Sequence, residues 1–479
     1  MKGAQMRIED WQPDLTLHKG PKFRALANAL RQAARSGELA PGTRLPPMRD
    51  LAWRLKVTTG TVARAYQLAA TEGVIESHVG RGSFIAAPKP RRPVPEPLLY
   101  ESLDRPLNAD GPADLRIPQL PDCDQARIIG RHLADIGAEL GADILDYTPL
   151  SRDLHCRESL LRWMSVRPLG EVSAQDLVLT HGGQNAIMLV MALCLADQPA
   201  KVMTEALTYP GITHAARLMR AETLPVMMDE QGMLPDDLDR VARESGARLV
   251  CLTPSAQNPT MAGMGPERRA DLMRIARRHD LQVIEDECYS TGPDPDAPQS
   301  LRALAPERVW YVTSLSKIIA AGLRFGILLC PPGMGQAGRI GAQHSHMGLS
   351  LPITGLVTRL IGSGDARRIA ADVHKRVEER RHMALETLSG LKIASRPGVP
   401  MIWLELPTPW RSEDFVIRAA AAGIIVRPAT DFMTDGTVTA RMPQGVRIAL
   451  NCRMEPQILA AALGTLADLA RSGPTNGPD

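Results

Sequence analysis

The sequence predicts an α/β protein that carries a small helical domain with a β-hairpin at its N-terminal end. Three observations lead to this fold class. Helical periodicity followed by two short strand patterns occupies residues 14–86, nine prolines fall within residues 87–122, and apolar strands alternate with helices over residues 123–470. At 479 residues the chain is too long for one compact core, so two or three domains are expected.

Composition and charge narrow the class of protein. Apolar residues make up 44% of the chain, and its seven scattered cysteines form no C-x-x-C pair, which favours reduced thiols over disulfides or a metal site. The first residues lack the apolar run of a signal peptide and no apolar stretch is long enough to span a membrane, so we expect a cytoplasmic protein. Residues 1–86 hold thirteen Lys and Arg against seven Asp and Glu, which suggests that this domain meets a polyanion.

The N-terminal pattern predicts three helices and a hairpin. Apolar residues recur at helical spacing over residues 21–37, a short helix follows two prolines from about Met48 to Leu55, and a third helix with a threonine cap covers residues 58–73. A Gly-Arg-Gly turn between two strand patterns completes residues 74–86. This is the outline of a winged helix-turn-helix, whose third helix enters the major groove of DNA. A small helical interaction domain is the alternative.

Residues 44–86 resemble the GntR-type winged helix. The string RLPPMRDLAWRLKVTTGTVARAYQLAATEGVIESHVGRGSFIA follows the family pattern L-P-S-x-R-x-L-A, V-S-x-x-T-V-x-x-A-Y and G-x-G-T-F-V at unbroken spacing. The resemblance implies a double-stranded DNA operator as partner. It assigns phosphate or base contacts to Arg49 and Arg64, groove-facing positions to Thr59 and Thr61, and the wing tip to Arg81. Many relatives have an arginine where this chain has Thr-Thr-Gly at 58–60, which leaves the operator sequence open.

The proline-rich segment 87–122 is predicted to be a semi-rigid, extended linker. An irregular arm packed on the body is the alternative for its second half. The last residues, 471–479, are predicted to be a disordered tail.

The body contains six apolar runs that are rich in β-forming residues, namely DLVLT, AKVMTE, RLVCLTPS, LQVIEDE, RVWYVTSL and GILLC. Helical stretches such as Gln184–Ala196 and Gly265–His279 lie between several of them. Buried strands that alternate with helices predict a largely parallel sheet, and such sheets carry their chemistry at the strand ends.

Polar and aromatic residues follow these strands. They are Gly183 and Gln184 in THGGQNAI, Tyr209 in TEALTYPG, Asn258 in TPSAQNPT, Asp286 and Tyr289 in VIEDECYS, and Ser314, Ser316, Lys317 and Arg324 in TSLSKIIAAGLRFG. Each has an ordinary structural alternative, such as a helix cap, core filling or a surface ion pair. As a set they supply what a pyridine aldehyde phosphate needs: a lysine for an imine, an acid for the ring nitrogen, hydrogen bonds to the phenolic oxygen, a stacking ring and phosphate donors.

Residues from about 140 to 465 resemble fold-type I, aspartate-aminotransferase-like enzymes, through the order G-x-Q, Y-P, N-P, D-x-x-Y, S-x-S-K, R and a late R. With its front domain the chain resembles the MocR subgroup of GntR regulators. This resemblance implies pyridoxal 5′-phosphate as cofactor and a smaller C-terminal α+β subdomain. It assigns the imine to Lys317, the pyridinium nitrogen to Asp286, the phenolic oxygen to Asn258 and Tyr289, ring stacking to Tyr209, and the phosphate to Gly183, Gln184, Ser314, Ser316 and Arg324.

Two further assignments come from the same resemblance. Arg447, in QGVRIALN, matches the late arginine that grips a substrate carboxylate, with an ordinary strand-edge arginine as the alternative. Tyr147 matches the tyrosine that reaches the phosphate of a neighbouring subunit, although relatives usually have a glycine shortly after it. Fold-type I sites and winged-helix operators both favour a homodimer.

Two functions are compatible with these residues. The first is a transcriptional regulator whose aminotransferase-like body binds pyridoxal 5′-phosphate and an amine or amino-acid effector as an imine. The second is an active aminotransferase that the front domain tethers to DNA. We favour the regulator, with slow transamination as a side activity, because the winged helix is intact. A regulator with an empty site is disfavoured, since such a site has no physical need for both Lys317 and Asp286.

Overall fold

The computed structural model describes residues 11, 13–15, 21–36, 38–71, 74–78, 82–86, 112–195, 200–289, 298–437 and 442–474. The chain divides into two compact units, Met1–Glu96 and Pro97–Asp479. Among the described helices, none combines the length and the apolar character needed to span a bilayer.

The N-terminal unit consists of α1 (Lys22–Ser36), α2 (Met48–Arg54), α3 (Thr59–Thr71), β1 (Ile75–His78) and β2 (Gly82–Ile85). Strands β1 and β2 pair antiparallel as the wing. Helix α3 begins after Thr58, whose Oγ1 accepts the backbone N–H of Thr61 at 3.2 Å, so the predicted threonine cap is present. The predicted order of three helices and a hairpin is confirmed.

The core of the N-terminal unit begins earlier than the predicted boundary at residue 14. Trp11 is 2% exposed and packs with Leu26, Leu30 and Tyr66 in one apolar cluster. The Tyr66 hydroxyl donates to the carbonyl oxygen of Pro46, which ties α3 to the turn before α2. The boundary was placed too late because a single tryptophan in a polar segment has no periodicity, and only packing reveals its burial.

The body contains fifteen further strands among its described residues: β3 (Ala113–Asp114), β4 (Leu177–Thr180), β5 (Lys201–Glu205), β6 (Glu222–Val226), β7 (Met228–Asp229), β8 (Gly232–Met233), β9 (Leu249–Leu252), β10 (Gln282–Asp286), β11 (Val309–Ser314), β12 (Gly326–Leu329), β13 (Lys392–Ser395), β14 (Met401–Glu405), β15 (Ile424–Ile425), β16 (Arg427–Pro428) and β17 (Gly445–Ala449). Its described helices are α4 (Gln125–Glu139), α5 (Leu154–Met164), α6 (Gly183–Cys194), α7 (Pro210–Leu218), α8 (Pro235–Ser245), α9 (Pro266–Arg278), α10 (Leu301–Leu304), α11 (Gly335–His346), α12 (Leu351–Gly362), α13 (Asp365–Thr387), α14 (Ser412–Ala421) and α15 (Pro456–Ser472).

A seven-stranded sheet in the order β4-β12-β11-β10-β9-β5-β6 forms the centre of the body. Neighbouring strands are parallel except that β12 runs antiparallel to both β11 and β4. All six predicted strands lie in this sheet. Strand β6 was not predicted, because Pro225 interrupts its apolar pattern; as an edge strand it tolerates the missing N–H.

A four-stranded antiparallel sheet, β13-β14-β17-β16, forms the smaller C-terminal part of the body. Helices α13, α14 and α15 supply apolar residues to its core. Strand β17 carries Arg447, which is 4% exposed. The expected α+β subdomain is therefore present.

The structure shifts two of the predicted boundaries. Within the described part of the segment 87–122, β3 pairs in parallel with β15, so residues 112–122 form an arm on the body, which was the alternative for this half. At the other end, α15 continues to Ser472, and Arg471 donates a hydrogen bond to the carbonyl oxygen of Ser389. The predicted tail at 471–479 thus began two residues too early, and residues 475–479 lie outside the described residues.

Candidate cofactor site

Lys317 lies in the turn that follows β11. The next two residues, Ile318 and Ile319, are 3% and 1% exposed and hold this turn against the core. Burial, and then the nearby guanidinium groups of Arg447 and Arg324, lower the pKa of the Lys317 ammonium to about 8. At neutral pH a fraction of the order of one tenth of this amine is therefore unprotonated, far more than for an ordinary lysine. Lys317 can thus act as an amine nucleophile.

Asp286 is the last residue of β10 and is 2% exposed. Its Oδ1 accepts the backbone N–H of Cys288 at 3.2 Å. Burial raises the pKa of the Asp286 carboxyl to about 6. A cation in contact with this carboxylate would favour the ionised form and offset the cost of burial. The site is therefore suited to a protonated ring nitrogen.

Hydrogen bonds join three predicted site residues that are far apart in the sequence. The Nδ2 of Asn258 donates to the Tyr289 hydroxyl at 2.6 Å, and its Oδ1 accepts from Nη1 of Arg447 at 2.9 Å. The other terminal nitrogen of Arg447 donates to the carbonyl oxygen of Arg116, in the arm. The Arg447 guanidinium carbon also lies 4.8 Å from the centre of the Phe432 ring. The two larger sheets of the body thus contribute to one polar cluster.

The start of α6 lies close to Arg324 and Cys288 and forms a second cluster with them. Gly182 has a φ of 85°, and a Cβ there would lie 2.7 Å from Nη2 of Arg324. A Cβ on Gly183 would lie 2.5 Å from the Cys288 sulfur, so only glycine fits. The Ser316 hydroxyl is buried and has no hydrogen-bond partner among the described residues. The unpaired N–H groups of a helix start, a guanidinium and a hydroxyl together can bind a phosphate.

The remaining predicted residues surround these two clusters. Ser314 is 3% exposed at the end of β11. The Gln184 side chain donates from Nε2 to the carbonyl oxygen of Gly211 at 2.7 Å, so its amide bridges to α7. The Tyr209 ring lies edge-on to the Tyr289 ring, with 6.4 Å between their centres. The structure therefore brings the residues predicted from separate strand ends to one edge of the sheet.

Comparison with known proteins identifies the family. Residues 123–466 match the aminotransferase class I and II family. The chain belongs to this family. Residues 23–85 match the gntR family of bacterial regulatory proteins. The two matches in one chain give the architecture of MocR-type regulators within the GntR superfamily.

Relatives and solved structures agree with this assignment. The chain is 25% identical over 448 residues to the vitamin B6 salvage pathway transcriptional repressor PtsJ of Salmonella typhimurium, covering 92% of this chain and 96% of the relative. It is 26% identical over 372 residues to the pyridoxine biosynthesis transcriptional regulator PdxR of Corynebacterium glutamicum, covering 76% and 78%. The fold matches kynurenine aminotransferase of Pyrococcus horikoshii with a TM-score of 0.68 at 23% identity, covering 77% of this chain and 93% of that structure.

The cofactor of this aminotransferase-family body is pyridoxal 5′-phosphate, and the described residues fit it. The Ser316 hydroxyl, buried without a partner among the described residues, and the close approach of Arg324 to the start of α6 suit the phosphate. The buried carboxyl of Asp286 suits a ring nitrogen, and the amine of Lys317 suits the aldehyde. When bound, this cofactor supplies an aldehyde that captures amines and a ring that accepts electrons.

Tyr147 lies outside both clusters. Its side chain is 79% exposed, between a short 3₁₀ helix and α5. The structure therefore gives this tyrosine no role within one copy of the chain, and its assignment depends on a second subunit.

The residues predicted to contact DNA are on the surface of the N-terminal unit where the structure describes them. Arg49, Arg64 and Thr59 are exposed and Thr61 is partly exposed, whereas Arg81 lies outside the described residues. The Thr61 hydroxyl lies 2.8 Å from the Thr58 hydroxyl, so it also serves the cap of α3. The backbone of Arg44, an exposed residue, forms an antiparallel bridge with Phe84, and its guanidinium lies close to the wing residue Gly82.

Sequence analysis also missed Glu205, the last residue of β5. It is fully buried, and its carboxyl accepts the backbone N–H of Thr253 at 3.4 Å and Nε2 of Gln257 at 3.2 Å. Burial raises the pKa of the Glu205 carboxyl to about 8, so it is mostly protonated at neutral pH. Because Gln257 precedes Asn258, this acid supports the loop of the polar cluster. A glutamate that ends an apolar strand was the signal that could have revealed it.

Proposed function

We propose that the chain is a pyridoxal-phosphate-dependent transcriptional regulator that binds operator DNA and a small amine or amino-acid effector. The observation that carries this proposal is the match of one chain to the gntR family over 23–85 and to the aminotransferase family over 123–466. PtsJ is a transcriptional repressor of a vitamin B6 salvage pathway and PdxR is a transcriptional regulator of pyridoxine biosynthesis, which supports a regulatory role for this architecture.

In this proposal Lys317 holds the cofactor covalently and Asp286 pairs with its ring nitrogen. Asn258 and Tyr289 hydrogen-bond to its phenolic oxygen, and Tyr209 stacks on the ring. The phosphate is held by the α6 start with Gly183 and Gln184, by Ser314 and Ser316, and by Arg324. The pKa of Lys317, the burial of Asp286 and the Asn258–Tyr289 hydrogen bond support these roles.

The effector competes with Lys317 for the cofactor aldehyde, and Arg447 binds its carboxylate if it has one. Arg447 is suited to this because Asn258 and Arg116 fix its guanidinium in a buried position. An effector can change DNA affinity only if it binds one arrangement of the protein better than another. The second candidate function, an active aminotransferase, is favoured by the same set of residues, because turnover requires them too.

Arg447→Gln should weaken the response of DNA binding to amino acids at least about tenfold, since a charge-assisted bidentate contact is lost. The response of DNA binding in this variant to amines without a carboxylate should be preserved. Fluorescence anisotropy with a labelled fragment of the adjacent promoter, titrated with both kinds of amine, measures this. Amino-group transfer to a 2-oxo acid is measured on the same samples.

Arg427→Gln is the matched control for this experiment. Arg427 lies opposite Arg447 in the β16–β17 ladder, and its guanidinium carbon is also 4.8 Å from the Phe432 ring centre, but it pairs with Asp431. Arg427→Gln should leave the response of DNA binding to amino acids unchanged. Rapid transfer together with DNA binding that no amine alters would instead establish the aminotransferase.

We also propose that the protein is a homodimer, and that it acts in the cytoplasm, where the chromosome lies. Exposed apolar side chains concentrate around Tyr147, with Leu145 84% exposed and Leu140 and Ile144 more than 40% exposed. Such a surface is typical of an interface and would let Tyr147 reach the partner's phosphate. Sedimentation velocity should show a dimer, and a monomer at micromolar concentration would contradict the proposal.

A further inference from the structure

A cleft of about 370 Å³ opens on the body, and none of its lining residues belongs to the candidate cofactor site. Its walls come from residues 121–122 of the arm, from α13, and from the turn that leads into α15. Backbone N–H of Cys452 donates to the carbonyl oxygen of Gln119 at 3.1 Å, and Nε of Arg453 donates to that of Leu120 at 3.3 Å. The arm and the turn therefore form one wall with fixed geometry.

Three arginines line this cleft, namely Arg376, Arg380 and Arg453. Their side chains differ in the groups that they contact. Nη1 of Arg376 lies 3.3 Å from Glu379, which balances its charge. Arg380 donates from Nη2 to the carbonyl oxygen of Met454 at 2.7 Å, but its Nη1 is buried without a hydrogen-bond partner among the described residues. An unsatisfied buried donor on a charged group is costly. The Arg380 guanidinium is therefore held in place with one donor that lacks an acceptor.

The other lining residues indicate what kind of acceptor fits. Met383, Pro121 and Pro456 give the cleft apolar walls. The carboxylate of Asp122 accepts the backbone N–H of Asp124 at 3.0 Å and so serves the turn before α4. A planar guanidinium beside an apolar wall recognises an oxyanion attached to a short hydrocarbon.

We infer that this cleft binds a small organic carboxylate, whose oxygens contact Arg380 and Arg453 while its hydrocarbon part lies on Met383 and Pro456. This ligand is distinct from the amine effector at Lys317, and the inference does not depend on the proposed function. Because Pro121 and Asp122 line the cleft, the ligand would also contact the arm.

The test uses full-length protein loaded with pyridoxal phosphate and carrying Arg447→Gln, so that carboxylates are not bound at the cofactor site. Calorimetric titration with glutarate should show one site per chain, and Arg380→Met and Arg453→Met should each weaken binding at least about tenfold. Arg453 is exposed, so its variant keeps the test valid even if Arg380→Met fails to fold. Inorganic phosphate, which lacks the hydrocarbon part, should bind more weakly than glutarate.

Arg367→Met is the control on the same helix, since Arg367 contacts the carbonyl oxygen of Arg162 and does not line the cleft. It should bind glutarate like its parent. The inference is overturned if glutarate does not bind, if neither cleft variant weakens binding, or if Arg367→Met weakens it equally. Phosphate binding as tight as that of glutarate would overturn the inference that the ligand is an organic carboxylate. The visible absorbance of the same samples reports separately whether the cofactor site is intact.

Discussion

Lys317→Ala should abolish the visible absorbance band of the lysine-bound cofactor. The band requires a covalent bond to an ε-amine, and burial, with the nearby Arg447 and Arg324, lowers the pKa of Lys317 to about 8. Because the effect is the loss of a bond, we expect the band to disappear entirely. Absorbance spectra of purified protein after incubation with pyridoxal 5′-phosphate measure this.

Two control variants separate the covalent role from the positive charge. Lys317→Arg keeps the charge but has no amine that can condense with an aldehyde, so it should also lose the band. Lys392→Ala should keep it, because Lys392 is exposed and paired with Glu405. An unchanged band in both Lys317 variants would exclude this lysine as the attachment site.

The capture of the cofactor by the apo-protein should also depend on pH. The free amine of Lys317 is the reacting form, so the rate should rise as pH increases and level off above about pH 8. After burial, the nearby Arg447 is the largest cause of the lowered pKa, so Arg447→Gln should move the plateau to higher pH. Stopped-flow absorbance measures both pH profiles. A plateau that does not move would show that the Arg447 guanidinium does not lower the pKa of Lys317.

Arg49→Ala and Arg64→Ala should each weaken operator binding about tenfold or more. Both arginines are exposed, on α2 and on the predicted recognition helix α3, and a bidentate contact to a base edge contributes about 1–3 kcal/mol. Where the lost contact is to phosphate, the slope of log K against log salt should fall by about one. Titrations of a labelled operator at several salt concentrations distinguish phosphate contacts from base contacts.

Arg24→Ala is the control for this surface. Arg24 is exposed on α1 and its guanidinium stacks on Phe23 at 5.9 Å, so its removal should leave the affinity and the salt slope close to those of the parent. If the Arg49 and Arg64 variants bind as tightly as the Arg24 variant, α2 and α3 do not form the reading surface.

Much of the fold could be predicted from the sequence because its signals are local. The six predicted strands are buried apolar runs, and all six lie in the central sheet. The cap at Thr58 and the wing also follow from residue types at fixed spacing. Elements without such patterns were missed, as with β6, which contains Pro225, and Trp11, which stands alone in a polar segment.

The sequence by itself determined the two-part architecture and the list of residues at the strand ends, because periodicity and motif order are properties of neighbouring residues. Only the tertiary structure decided that Asn258 bridges Tyr289 and Arg447, that Glu205 is buried beneath their loop, and that Arg380 has a buried donor in a separate cleft. Burial and contact between distant segments depend on strand order and packing. They also set the pKa of Lys317, which no run of neighbouring residues specifies.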